Sequence, residues 1–137
     1  MLTVKHYTVA VHDLDEAIAN HQARFGMEPT GEKAYNGIGK FDFVPMGYAG
    51  QTMLHLLQPR DGEESPIAKL MAERVNPFNP HGEGMYLIAY DCDDVAAFAK
   101  QIEDAGGRVT RAPNSSNVWV HPTTSNFVLM EIFQKQG

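Results

Sequence analysis

One arrangement of residues occurs twice in this chain, and it leaves few folds open. Residues 6–18 (HYTVAVHDLDEAI) and 87–99 (LIAYDCDDVAAFA) each run from a short apolar strand through an aspartate into a helix. Residues 53–58 (MLHLLQ) and 129–134 (LMEIFQ) then close each stretch with another apolar strand. The pattern predicts an α+β chain of two βαβββ modules, the first over 1–59 and the second over 85–137, in one domain covering 1–137. Residues 60–84, the least regular part, read as a linker with a short helix capped at Ser65 and opened by Pro66. Two such sheets side by side make a curved, incomplete barrel, and the faces turned away from the helices line its cleft.

Matching the two stretches singles out His6, His55, Leu87 and Glu131. Three of these four are side chains that bind metals, set on otherwise apolar strands where an unpaired polar group is expensive to bury. Residues 3–11 alternate as a strand does, with Tyr7, Val9 and Val11 on the face expected to meet a helix and His6, Thr8 and Ala10 on the other. Met53, His55 and Leu57 share a face further on, as do Leu129, Glu131 and Phe133. Two imidazoles and a carboxylate suit one divalent ion (Zn, Co, Ni, Mn or Fe(II)) and leave coordination positions for water or substrate. The plainer alternative is two core histidines satisfied by backbone carbonyls and a glutamate at a wet edge.

The totals exclude several classes. At 137 residues and 43% hydrophobic the chain can bury a core, and a net charge of −6 offers no basic footprint for nucleic acid. The first residues lack a signal-peptide core and no apolar run reaches membrane-spanning length, so a cytoplasmic location and no membrane partner are expected. A single cysteine, Cys92, cannot form an internal disulfide.

The residues resemble the vicinal oxygen chelate superfamily, which contains glyoxalases, bleomycin resistance proteins and dioxygenases. Within it they are most similar to the methylmalonyl-CoA epimerase and glyoxalase I branch. The resemblance is carried by residues 6–18, by Leu54-His-Leu-Leu-Gln-Pro, Ser65-Pro-Ile-Ala-Lys and Gly82-Glu-Gly, and by Asp93-Asp94, His121-Pro and Val128-Leu-Met-Glu-Ile. It implies that His6, His55 and Glu131 are metal ligands, with His55 replacing the more usual Glu or Gln. It also implies a homodimer. The family's histidine in the second module falls on Leu87, and where epimerases carry an acidic residue before the third strand this chain has Tyr35 and Asn36.

The activity this implies is isomerase, epimerase or lyase chemistry, by proton abstraction beside a metal-bound carbonyl or vicinal oxygen pair. Glu131, Asp42 or a metal-bound hydroxide would be the base, with His121 a further catalytic candidate. Asp42 serves only if it faces the cleft, and Phe41 and Phe43 equally could be the inward set. Met53, Leu57, Leu87, Trp119 and Phe133 would line the substrate cleft. Two alternatives stand: a small non-haem Fe(II) dioxygenase using the two histidines and the glutamate, and a metal-free ligand-binding or resistance module, favoured by Leu87.

Overall fold

Capping residues delimit all three α-helices of the computed structural model, which describes residues 1–136. Strand β1 (Leu2–Ala10) ends before Asp13, whose carboxylate accepts the Glu16 backbone N–H at 3.0 Å and starts α1 (Leu14–Phe25). Gly26, at φ 67°, stops that helix in the left-handed conformation glycine tolerates best. Next come β2 (Glu28–Pro29), β3 (Ala34–Asn36), β4 (Phe41–Tyr48) and β5 (Gln51–Pro59). Ser65 caps α2 (Pro66–Arg74) by accepting from the Ala68 N–H at 3.0 Å. After β6 (Gly84–Cys92), Asp94 caps α3 (Val95–Asp104) in the same way, followed by β7 (Val109–Arg111), β8 (Val118–Val120), a 3-10 turn (Pro122–Thr124) and β9 (Met130–Gln134). The chain is therefore α+β, as its repeat predicts.

The chain divides into two compact units: Thr8–Tyr86, and Met1–Tyr7 together with the residues from Leu87 onward. In the first, the hydrogen-bonded order is β2-β4-β5-β1, with β3 also on β4; in the second it is β1-β6-β9-β8-β7. Neither order closes on itself, which leaves open sheets rather than a sealed barrel.

Within the 8–86 unit, Val44, Met46, Leu54 and Leu56 are buried on one face of the β4–β5 pair. The opposite face is covered as well. Ala10 and Leu57 pack with Ile67 and Met71 of α2, and Phe41, Phe43 and Tyr86 border this cluster. Residues 66–74 thus complete a core, a role that their weak periodicity did not announce. In α1, Leu14 and Ala17 are the buried residues while Phe25 lies 55% exposed.

In the second unit Cys92, Val118, Val120 and Ile132 form a core with Val95 and Ala99 of α3. Strand alternation then puts Leu87, Ala89, Trp119, Glu131 and Phe133 on the face away from that helix. The last strand begins at Met130, after Asn126 and Phe127 take left-handed backbone angles (φ 55° and 67°) that no strand can hold.

Candidate active site

Glu131 lies on the face of the second unit turned away from α3. Glu131, mid-strand in β9, pairs in register with Ala89 of β6 on one side and Trp119 of β8 on the other. Burial raises its carboxyl to about 7, against hydrogen bonding from Trp119 and Asn117 that favours the ionised form. His6 is buried, with its ring 6.5 Å from that of Phe133. Lys5 lies over the Phe133 ring at 5.3 Å and reaches Asp91 at 3.5 Å. Leu87 is buried and brings no donor atom.

In the 8–86 unit His55 stands opposite Pro45 and stacks on Phe43, with ring centroids 5.2 Å apart and planes 17° from parallel. This settles the parity of β4. Asp42 pairs with Gln58, whose side chain accepts from the Leu14 N–H at 2.7 Å, so both lie on the α1 face. Asp42, expected as a base if it faced the cleft, is therefore corrected: it points away from the His55 face. Arg60 grips it with two hydrogen bonds of 3.0 Å and holds its carboxyl below the usual range, despite some burial that opposes the shift.

One further expectation changes. Leu57, expected to line the cleft, is 2% exposed and sealed beneath Ile67 and Met71, because α2 covers that stretch of the sheet. His121 accepts the Thr123 N–H at Nδ1 (3.2 Å), with the Thr123 hydroxyl 2.7 Å from the same nitrogen, and so caps the 3-10 turn. Met53 lies 43% exposed, and Trp119 and Phe133 are half-buried. Sequence reading missed Asn117 as a residue that favours the ionised form of Glu131; the available signal was its place two residues before Trp119.

The glyoxalase/bleomycin resistance protein/dioxygenase family model matches residues 5–118. The chain belongs to this superfamily. An ethylmalonyl-CoA/methylmalonyl-CoA epimerase of Cereibacter sphaeroides is 30% identical over 141 residues, spanning 96% of each chain. Among solved structures, a Streptomyces coelicolor methylmalonyl-CoA epimerase variant in complex with 2-nitronate-propionyl-CoA is 28% identical at a TM-score of 0.77, covering 100% of both chains. The Mycobacterium tuberculosis methylmalonyl-CoA epimerase is 26% identical at a TM-score of 0.78, covering 98% of this chain and 88% of that one. These relatives make the chain an epimerase-like member of a superfamily of enzymes and binding proteins. Among the described residues no helix is long and apolar enough to cross a membrane.

Proposed function

We propose that the protein is an epimerase of acyl-CoA thioesters that moves the proton on the carbon next to the thioester carbonyl. The single observation that carries this is Glu131, a half-buried carboxyl with a proton affinity near neutrality, set in a chain that matches an ethylmalonyl-CoA/methylmalonyl-CoA epimerase over 96% of its length. A base works best when its pKa lies near the working pH. Of the catalytic side chains weighed on sequence, Asp42 faces α1 and His121 caps a turn, which leaves Glu131.

In this reading the Glu131 carboxylate takes the α-proton, and the C–H electron pair moves into the carbonyl to give an enolate. Return of the proton from Glu131 to the same face restores substrate, while delivery of a proton by solvent water to the opposite face completes inversion. Trp119 and Phe133 supply apolar surface on the Glu131 side of the enolate.

The donor chemistry of His6 and Glu131 suits a divalent ion, and His55, in the 8–86 unit, has the donor type of a further ligand. A cation would keep ionised a carboxylate that burial otherwise drives toward protonation. Among the described residues no three His, Cys, Asp or Glu side chains already form a group that could hold an ion, so the metal assignment rests on that chemistry. When bound, the ion would polarise the substrate carbonyl as a Lewis acid.

The test is deuterium exchange. Protein incubated in D2O with methylmalonyl-CoA should place deuterium at the α-carbon, and Glu131→Gln should abolish the exchange. Wild-type protein that neither exchanges nor epimerises any acyl-CoA offered, or a Glu131→Gln variant with full activity, would sink the proposal. Elemental analysis of protein purified without chelator decides the metal separately.

A further inference from the structure

We propose that Lys5 is a specificity-determining residue that binds a free carboxylate on the acyl group of the CoA ester. The inference rests on the acyl-CoA reading above and adds to it the class of acyl chain. Lys5 holds its ammonium 5.3 Å from the centre of the Phe133 ring and 3.5 Å from the Asp91 carboxylate. Asp91 and Phe133 are partners in the β6–β9 register, two residues beyond the pair Ala89 and Glu131. By strand alternation these four side chains share the face turned away from α3, and the ammonium that touches two of them sits on that face as well. Two residues of strand advance roughly 7 Å. That spacing suits an acyl group with Glu131 at its α-proton and Lys5 at an acid group on the same carbon or the next.

The gap of 3.5 Å to Asp91 exceeds the roughly 2.7 to 2.9 Å of a charge-assisted hydrogen bond, so this pairing leaves the three N–H donors of the ammonium available. Arg60 and Arg111 differ, since each makes two hydrogen bonds to one carboxylate, of Asp42 and Glu103. The Phe133 ring attracts the ammonium through its face and takes none of its protons, which holds the charge in place without consuming its donors. With its side chain 41% exposed, Lys5 is open to a ligand arriving from solvent. A chain of net charge −6 offers an anionic ester no general attraction, so an acid group near Glu131 needs a local cation. An acyl chain without the acid gives Lys5 nothing to bind.

The experiment measures, by calorimetry, the binding of methylmalonyl-CoA and of propionyl-CoA, the same ester without the acid group, with solvent exchange into methylmalonyl-CoA followed alongside. Lys5→Met deletes the charge and keeps most of the stem. It should weaken methylmalonyl-CoA binding about 10-fold, the lower end for a hydrogen bond to a charged group because Lys5 is partly open to water, and leave propionyl-CoA binding unchanged. KM for exchange should rise in step while kcat holds. Lys5→Arg, which restores the charge, should recover part of the loss. Should Lys5→Met fail to fold, Asp91→Asn is read in its place: it frees the ammonium from a competing carboxylate and should tighten methylmalonyl-CoA binding alone. A folded Lys5→Met that binds methylmalonyl-CoA like wild type overturns the inference and leaves the Glu131 assignment standing. An equal loss for both esters puts Lys5 on the CoA portion and overturns it too. Wild-type protein that binds neither ester overturns both this inference and the acyl-CoA reading.

Discussion

Phe43 and His55 lie ring on ring, 5.2 Å between centroids, diagonal neighbours on the β4–β5 pair. The stack fixes the plane of the imidazole from a strand that is itself clamped by Phe41, Leu57 and the α2 residues Ile67 and Met71. Phe43→Ala should cost about 3 kcal/mol of folding stability, measured by urea unfolding, since it removes a large side chain from a packed cluster. Phe43→Leu should cost less than half of that. A loss of activity in Phe43→Leu larger than its loss of stability would show that ring orientation, not bulk, serves His55.

Glu131 makes stability depend on pH in a definite direction. Its folded pKa of about 7 stands above the 4.5 of an ordinary carboxyl, so between these values the folded chain binds a proton that the unfolded chain does not. This group's contribution is therefore full below pH 4.5, falls as pH rises, and is lost above 7. Glu131→Gln should remove that slope and stabilise metal-free protein at pH 8 by up to about 3 kcal/mol, with no gain at pH 4. Urea midpoints of the two proteins at both pH values measure the difference.

Removing or restoring a cation should act on the same group. Chelator-treated protein is expected to melt lower at pH 8 than protein given Mn2+ or Co2+, because only the ion-bound form compensates the buried carboxylate. Thermal scans of wild type and Glu131→Gln separate this from nonspecific binding: the variant should lose most of the ion-dependent shift.

Asp42→Asn provides the control for the rejected base. With its carboxylate on the α1 face and bonded to Arg60, the variant should retain wild-type exchange activity. A drop of about 100-fold, typical of losing a general base, would return Asp42 to the mechanism.

Ser65→Ala tests the helix that seals the β4–β5 face. Ser65 is buried and accepts the Ala68 N–H, and losing a cap of this kind costs about 1 kcal/mol. Equilibrium unfolding measures that cost. Hydrogen exchange should locate the faster amides in α2 and leave α3 unchanged.

Much of this architecture can be read directly from residues. Ser65 and the aspartates that precede α1 and α3 act locally, through bonds to backbone within a few positions, and their helices begin where expected. What stayed hidden depends on partners distant in sequence. Asp42 between two phenylalanines fits either face of a strand, and only Gln58, through its bond to the start of α1, decides between them. Leu57 reads as a cleft residue until α2, whose sequence has little periodicity, folds over it. Phe127 continues an apolar run, yet the turn from Ser125 to Val128 bends it out of the strand.

Strand β1 contributes Leu2–Tyr7 to one unit and its remaining residues to the other. On the ribosome those first residues emerge early but must wait for β6 and β9, more than eighty positions later, before their unit can assemble. No single cut of the chain liberates either unit with all its strands. Fragment expression, circular permutation or grafting would have to carry β1 twice.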